Sequence, residues 1–197
     1  RQEHWEKNLE YKEKLEAVIP IIESGMIYSI LFQDNYSGDT ERFRELLDIP
    51  QKYGFILVIE VGDAIENRKM TNVVGMSVKA QKFYDEFRQI VKQFFSATVG
   101  PMMANKVVVF VPVETPKQEY KERVLTIERA DHMIQKLMTR IELFFRVGIG
   151  SVHLLDNIYP SYQEACLALK KADGPVMHIN DFAAVQSVEE NYPLDTE

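Results

Sequence analysis

The sequence has a single cysteine, Cys166, among its 197 residues. One thiol cannot form an internal disulfide or a cysteine-based zinc cage, so both kinds of staple are excluded within the chain. Chains so poor in cysteine are typical of a reducing compartment. We therefore expect a cytoplasmic protein whose fold is held together by its core.

Long apolar runs are also missing. No run approaches the roughly 20 residues that a helix needs to cross a bilayer. The start of the chain alternates charges where a signal peptide would have an apolar core. This pattern predicts neither export nor a membrane anchor. The first residue is Arg1 and not methionine, and we expect the chain to be a piece of a longer protein.

Positive charge is in short supply, because 23 Lys and Arg residues face 30 Asp and Glu residues and give a net charge of -7. A protein that grips nucleic acid needs a clustered positive surface, so we expect no direct nucleic-acid contact by this part. The 46% of hydrophobic residues is typical of a folded globular protein. The length suffices for one substantial domain with an appendage.

Residues 1–50 are predicted to form an N-terminal helical segment. Pro20 interrupts it, so we expect two helical pieces, followed by a short helix over residues 40–47 that Asp39 or Thr40 caps. The apolar stripe of this segment either packs on its own domain or pairs with a second copy as a coiled coil. The stripe covers residues 2–31: its first part consists of Trp5, Leu9, Leu15, Val18 and Ile22, and it continues beyond Pro20 through Ile21, Met26, Ile27, Ile30 and Leu31.

Residues 51–182 alternate between strand and helix patterns. The run from Tyr53 to Val61 is rich in β-branched and aromatic residues, which predicts a strand buried on both faces. A loop over residues 62–75 and a helix capped by Ser77 follow. The remaining predictions are strands over 97–103 and 106–113 joined by Ala104 and Asn105, a helix over 119–143, a strand over 144–153, a helix over 161–172, a strand over 176–179 and a linker over 183–197.

In this order the elements predict an α+β fold, with helices packed on a mainly antiparallel sheet and an N-terminal helical segment before it. The βαββαβ order is that of the ferredoxin-like core. Such a core hosts many unrelated activities and carries no function by itself. Function must therefore be sought in particular side chains.

Several other residues are candidates for a functional role. Gly148 and Gly150 lack the third glycine of a dinucleotide fingerprint and lie inside a predicted strand, so the close approach of a helix explains them. The histidines lack the spacing of zinc ligands, although His153 and His178 fall near the ends of two strands. Cys166 is expected to be a buried, inert thiol.

Two acidic residues lie at and just beyond the end of the first predicted strand. Glu60 and Asp63 could in principle share acid–base chemistry, but the first lies in a strand and the second in a loop. A buried carboxylate needs a cationic partner. We therefore expect Glu60 to pair with a base such as Arg146, and Asp63 to be a solvated loop residue.

The C-terminal part contains three distinctive segments, Arg146-Val-Gly-Ile-Gly-Ser-Val-His153, Ser161-Tyr-Gln-Glu-Ala165 and Ala168-Leu169. Together they resemble the closing half of degenerate GGDEF-like domains in bacterial transcription regulators. The segment Leu9–Pro20, with Tyr53-Gly54 and Val74-Gly75, is similar to what AraC-type two-component response regulators place after their receiver. The resemblance implies a GGDEF-like fold between an upstream phosphoreceiver and a downstream DNA-binding domain, both outside this chain.

Active diguanylate cyclases of the parent family hold two metal ions with acidic residues at the central hairpin. Hard metals need carboxylate oxygens to neutralise the phosphate charge of a nucleotide. The corresponding hairpin here reads Val99-Gly-Pro-Met-Met-Ala-Asn-Lys106, with one glycine and no carboxylate. The first strand offers only Glu60 and Asp63. The resemblance thus implies the fold and argues against the reaction, so we expect no catalytic residues, no metal and no cofactor.

These observations predict a non-catalytic signalling and dimerisation module of a two-component response regulator, which forms a homodimer through its N-terminal helices. Two alternatives stay open. One is a divergent nucleotide cyclase, and the other is a small-ligand sensor with a pocket between the sheet and the Met102-Met103 hairpin. The candidate ligand contacts are Glu60, Asp63, Gly100 and Asn105.

Overall fold

One long helix opens the chain. The computed structural model describes residues 1–32, 37–63, 65–66, 69–70 and 73–181. Helix α1 spans Gln2–Phe32 and includes Pro20, so the prediction of two helical pieces was wrong. Proline removes one backbone N–H and crowds the preceding turn, and both effects weaken a helix locally. In α1 the turns on both sides of Pro20 nevertheless continue as one helix.

The second helix is short and begins earlier than predicted. Helix α2 spans Ser37–Leu46, so Asp39 lies in its first turn and neither Asp39 nor Thr40 precedes it as a cap. An acidic residue in the first turn is favourable because it faces the positive end of the helix dipole. Arg44 Nη2 donates to the Pro50 carbonyl oxygen over 2.8 Å and fastens the end of this helix to the chain that follows.

The remaining elements alternate as the sequence predicts. The strands are β1 Tyr53–Gly62, β2 Ile65–Glu66, β3 Lys69–Met70, β4 Thr98–Met103, β5 Lys106–Val113, β6 Phe144–Ile149, β7 His153–Leu154 and β8 Val176–His178. The helices are α3 Val73–Phe94, α4 Tyr120–Ile141 and α5 Tyr159–Lys171.

A single sheet organises this part of the chain, in the order β4-β5-β1-β6-β8, with β7 paired to the start of β1. Neighbouring strands are antiparallel except β6 and β8, which are parallel. Because β1 is bonded along both edges and covered on both faces, its apolar run is buried. The predicted α+β fold with a mainly antiparallel sheet is confirmed, and so is the hairpin through Ala104 and Asn105.

Two predicted boundaries were wrong. Helix α3 begins at Val73, so Ser77 lies inside it, and the predicted loop over residues 62–75 contains the short pair β2 and β3. The apolar residues before Ser77 extend the helical pattern upstream, which outweighs the capping preference of serine. The strand predicted over 144–153 is interrupted after Ile149, and the chain continues along the same edge of β1, where β7 pairs with the start of that strand.

Each face of the sheet carries its own core. On one face, side chains of α3 and α4 pack on alternate residues of β1, namely Phe55, Leu57, Ile59 and Val61. On the other face, Ile56 and Val58 pack with residues of α1 and α5. This division follows from the alternation of side chains along a strand. The second half of α1 is therefore part of the fold.

The two halves of α1 have different surroundings. Residues 1–18 are exposed throughout, whereas Glu23, Met26 and Ile27 are buried. Packing of the stripe on its own domain, one of the two alternatives, therefore holds only for the second half. The predicted linker over 183–197 lies outside the described residues, and the predicted boundary near Pro50 falls between α2 and β1.

In the described part of the chain, α1 is the one helix long and apolar enough to cross a membrane by length and composition. The most apolar stretch of the helix is 17% buried. This is weak evidence for a membrane span, because a core helix passes the same test.

Candidate functional site

The distinctive C-terminal segments form a joint between β6 and α5. A Cβ atom at Gly148 would lie 2.1 Å from the Ala165 carbonyl oxygen, and one at Gly150 would lie 2.1 Å from the Ser161 carbonyl oxygen. Helix backbone fills the space that a side chain would need. The interpretation that these glycines permit the close approach of a helix is confirmed.

Ser161 is fully buried and ties three segments together. Its Oγ accepts a hydrogen bond from the Ile56 N–H over 2.9 Å and donates one to the Ser151 carbonyl oxygen over 2.7 Å. The start of α5 is thereby bonded to β1 and to the loop after β6. The hydroxyl is committed to the fold.

Glu164 holds Ser151 and His153 in a compact triangle. Ser151 Oγ donates to the Glu164 carboxylate over 2.7 Å, and His153 Nε2 lies 2.5 Å from Glu164 Oε1 and 3.1 Å from Ser151 Oγ. In a hydrolase triad, the imidazole faces the serine with one nitrogen and the acid with the other. Here the same nitrogen faces both groups, and the hydroxyl proton points to the carboxylate. The triangle is therefore not a nucleophile relay.

The β4–β5 hairpin closes the end of β1. Ala104 adopts a φ of 54° at the turn. Asn105 Nδ2 donates to the Val61 carbonyl oxygen over 3.1 Å, and the Val61 N–H donates to the Asn105 carbonyl oxygen over 2.9 Å. Asn105 is buried, so its side chain serves the fold at the place where a cyclase has its acidic turn.

Glu60 and Arg146 are buried partners on adjacent strands. They are opposite each other in the β1–β6 register, and Glu60 Oε1 lies 3.4 Å from Arg146 Nη2. On the other side of β1, the register partner of Glu60 is Lys106. The prediction that Glu60 pairs with Arg146 is confirmed. Its negative charge is matched by a guanidinium within the protein.

Gly100 faces α1. A Cβ atom there would lie 2.8 Å from Ile27 Cγ2, so the helix occupies the space beside this glycine. Asp63 follows β1, is half-buried and has a partner of its own. Of the four candidate ligand contacts, Glu60 and Asn105 lie together at the end of β1, whereas Gly100 lies against α1. A ligand role for this set stays a prediction.

A buried carboxylate, Glu23, joins α1 to α3 and β4. Glu23 is 1% exposed. Its oxygens accept hydrogen bonds from both Nη atoms of Arg88 at 2.7 and 2.9 Å, from Lys92 Nζ at 2.6 Å and from the Val99 N–H at 2.6 Å. Charge-assisted bonds of this kind are about twice as strong as neutral ones. We call these four residues the α1 anchor.

The Glu23 carboxylate is ionised at neutral pH. Burial raises the pKa of Glu23, but hydrogen bonds from Arg88, Lys92 and the Val99 N–H, with the positive charge of Lys92, outweigh it and lower the pKa below its usual 4.5. The α1 anchor is therefore fully charged under physiological conditions.

The α1 anchor was not predicted from the sequence. The available signal was one acidic residue, Glu23, within the apolar second half of the helical segment. Such a residue on a buried face requires a cationic partner. Arg88 and Lys92 are one turn apart on α3, but only the tertiary fold brings that turn against α1.

The family model of the GGDEF-like domain matches residues 47–170, more than half of the chain. The chain belongs to the GGDEF-like domain family. Among solved structures, it is similar to the FimX GGDEF domain from Pseudomonas aeruginosa, with 9% identity, 71% of this chain and 92% of that chain covered, and a TM-score of 0.40. A likeness at that level adds nothing to the assignment. No curated protein matches the chain.

Glu23 precedes the part of this GGDEF-like domain that the family model matches, whereas Arg88, Lys92 and Val99 lie within it. The α1 anchor thus connects the preceding helix to the family domain. The hairpin, the Glu60–Arg146 pair and the β6–α5 joint all lie inside the matched residues, which agrees with their roles in the fold.

No group of three or more His, Cys, Asp or Glu side chains within the described residues of the GGDEF-like chain could hold a metal ion. Cys166 is half-buried, and burial raises the pKa of its thiol. A thiol with a raised pKa is a poor nucleophile at neutral pH.

Proposed function

We propose that this GGDEF-like domain is a non-catalytic signalling and dimerisation module of a bacterial two-component response regulator in the cytoplasm. It carries the phosphorylation state of an upstream receiver to a downstream DNA-binding domain, and it contacts neither nucleic acid nor a membrane itself. The receiver and the DNA-binding domain follow from the resemblance of Leu9–Pro20 and Arg146–Ala165 to such regulators. Two copies pair through α1.

The bare first half of α1 carries this proposal. Trp5 is 70% exposed and Tyr11 is 66% exposed, and Leu9, Leu15 and Val18 are exposed as well. Most of the stability of a helix in a protein comes from packing of its apolar face. A helix that projects such a stripe gains stability when a partner buries it.

The spacing of the stripe favours a second copy as that partner. Tyr11, Leu15, Val18 and Ile22 are separated by four, three and four residues, the alternation of core positions in a heptad coiled coil. Symmetric pairing of two copies is also the commonest oligomeric arrangement. We propose a parallel pair, in which the domains of both copies follow their helices on the same side.

The α1 anchor supports transmission through this helix. Glu23 is bonded to Arg88 and Lys92 on α3 and to the Val99 N–H on β4, and Ile27 packs over Gly100. A rotation or shift of α1 would therefore disturb its charged contacts with α3 and its contacts with β4. Through these contacts, a change in the way two α1 helices pair would also displace α3 and β4 in each domain.

The central hairpin supports the absence of catalysis. The segment Val99–Lys106 contains no carboxylate, and the Asn105 amide is bonded to the backbone of Val61. Glu60 is matched by Arg146. A pair of hard metal ions needs several carboxylate oxygens, and these residues offer only the single carboxylate of Glu60.

Sedimentation equilibrium across a range of concentrations tests the dimer. The wild-type chain is expected to be dimeric, and Leu15→Glu is expected to be monomeric because two carboxylates would meet in the core of the pair. Leu125→Glu is the matched control, since Leu125 is an exposed leucine on α4, and it is expected to remain dimeric. A wild-type chain that is monomeric at the highest concentration, or a Leu15→Glu chain that dimerises normally, would contradict the proposal.

The sequence of the full gene product tests the setting of the module. A receiver with a phosphoacceptor aspartate is expected before Arg1, and a pair of helix-turn-helix motifs is expected after Glu197. A gene product with neither would overturn the response-regulator part of the proposal, while the pairing of α1 would still be decided by sedimentation.

A further inference from the structure

A small cavity lies beyond the C-terminal end of β5, whereas the hairpin turn precedes the N-terminal end of that strand. Its volume is about 210 Å³, which is below the roughly 300–1,000 Å³ of pockets for drug-sized ligands. Two of its eight lining residues, Lys117 and Arg123, are cationic and none is acidic. Its size and charge suit a small anionic group.

The buried side chain of His178 lines this cavity, and one of its ring nitrogens has no hydrogen-bond partner among the described residues. His178 is 1% exposed, and its Nδ1 accepts a hydrogen bond from the Asn180 N–H over 3.1 Å. The neutral ring therefore carries its proton on Nε2. In the part of the chain that the structure describes, this Nε2 is buried and has no hydrogen-bond partner. A buried donor without an acceptor destabilises a fold, so an acceptor at this point is favoured.

The ring of His178 is neutral at physiological pH. Burial lowers the pKa of His178 to about 4, and the nearby Arg123 lowers it as well, while the charges of Asp181 and Glu164 act in the opposite direction. A neutral ring with its proton on Nε2 offers one fixed donor and adds no charge of its own.

Arg123 offers a second donor to the same cavity. Its Nε lies 3.3 Å from Asp181 Oδ1, close enough for an ion pair, yet the N–H makes no hydrogen bond within the described residues. Four buried side-chain nitrogens share this condition there, and two of them, on Arg123 and His178, line one cavity. Because both residues line this cavity, an acceptor bound there would satisfy donors that the described residues leave without a partner.

We propose that this cavity binds a small oxyanion, the carboxylate or phosphate group of a small molecule, through the His178 Nε2–H and the Arg123 guanidinium, with Lys117 at the rim. Both groups share the required chemistry, since a charged oxygen accepts strong hydrogen bonds from these donors. The site is separate from the hairpin and does not depend on the pairing of α1. It would give the module a ligand input besides phosphorylation.

Titration calorimetry and NMR of histidine labelled with ¹⁵N test the site with two probes, inorganic phosphate and succinate. At least one probe is expected to bind saturably and to shift the Nε2–H resonance of His178. Arg123→Gln and His178→Phe are each expected to weaken that binding about tenfold or more, the usual effect of losing a hydrogen bond to a charged group. Lys170→Gln, at an exposed lysine on α5, is the control and is expected to bind normally.

Binding of phosphate alone would identify a phosphate-bearing ligand, and binding of succinate alone a carboxylate-bearing one; either result supports the site. No saturable binding of either probe would overturn the proposal, and so would binding that both variants retain. If His178→Phe fails to fold, Arg123→Gln and the wild-type resonance of His178 decide the question.

Discussion

At the scale of single residues, Gly148 sets how closely α5 approaches the sheet. Gly148→Ala is expected to lower the free energy of unfolding by about 2 kcal/mol or more, in the range of overpacked cores. The added Cβ would lie 2.1 Å from the Ala165 carbonyl oxygen, which is backbone and cannot move aside as a side chain can. Chemical denaturation measures the change.

Gly174→Ala is the matched control for this substitution. A Cβ atom at Gly174 would have no heavy atom within 4 Å, so the variant is expected to be about as stable as the wild type. If Gly148→Ala unfolded at the same denaturant concentration as Gly174→Ala, the account of the β6–α5 joint would be wrong.

Some residue contacts could be predicted from the sequence because an acidic residue in an apolar segment requires a cationic partner. Glu60 lies near the end of a very apolar strand, so a cationic partner was required, and Arg146 lies within another apolar run. Glu23 lies in the apolar half of α1 and requires a cationic partner for the same reason. Its partners could not be predicted, because Arg88 and Lys92 are polar residues on an amphipathic helix and carry no mark of burial.

At the scale of elements, the α1 anchor holds the second half of α1 on the domain. Glu23→Gln is expected to lower the free energy of unfolding by about 2–4 kcal/mol, because Arg88, which is half-buried, and Lys92 lose their buried counter-charge. Glu86→Gln is the control, since Glu86 forms an ion pair with Arg140 over 2.9 Å but its side chain is 40% exposed. Surface pairs of that kind are worth about 1 kcal/mol or less. Equal effects of the two substitutions would contradict a special role for the anchor.

Acid should weaken the same anchor. The pKa of Glu23 is lowered in the folded state, so its stabilising contribution is complete above the usual pKa of 4.5 and is lost as the pH falls through the folded-state value. Thermal unfolding followed across that range is expected to show a smaller acid destabilisation for Glu23→Gln than for the wild type. Equal pH profiles would show that the carboxylate is not held by Arg88 and Lys92 as described.

The extent of several elements could not be predicted from local signals. Pro20 predicts a break, yet α1 continues through it, and Ser77 predicts a cap, yet α3 begins at Val73. In both cases the signal is the preference of a single residue, which is too weak by itself to fix where a helix begins or breaks. Strand β6 ends at Ile149, and β7 continues along the same edge of β1 only from His153, an interruption that no local sequence signal marked.

At the scale of the whole molecule, the domain is expected to turn over no nucleotide. Incubation with GTP or ATP and magnesium or manganese should release neither pyrophosphate nor a cyclic product, because the hairpin has no metal-binding carboxylate. Metal-dependent turnover that is lost in Glu60→Gln but kept in Glu86→Gln would contradict the proposal of a non-catalytic domain. Such a result would identify the domain as a divergent cyclase.

The α+β fold and its hairpin followed from periodicity, since alternating and helical patterns differ in their repeat. The division of α1 into a bare half and a packed half did not follow. A stripe such as Leu15, Val18 and Ile22 has the same spacing whether it faces a sheet or another helix. Only the tertiary fold shows that residues 1–18 are exposed among the described residues and that the packed half is fixed by Glu23.

Cross-linking within the proposed pair tests the central claim most directly. In a Cys166→Ser background, Val18→Cys places a thiol at a core position of the heptad, and Glu13→Cys places one on the opposite side of α1. Equivalent core positions in a parallel pair lie within the Cα separation that a disulfide spans, about 4.4–6.8 Å. Mild oxidation is expected to link Val18→Cys chains rapidly and Glu13→Cys chains hardly at all. Equal linking of both variants, or none of Val18→Cys, would contradict signalling through paired α1 helices.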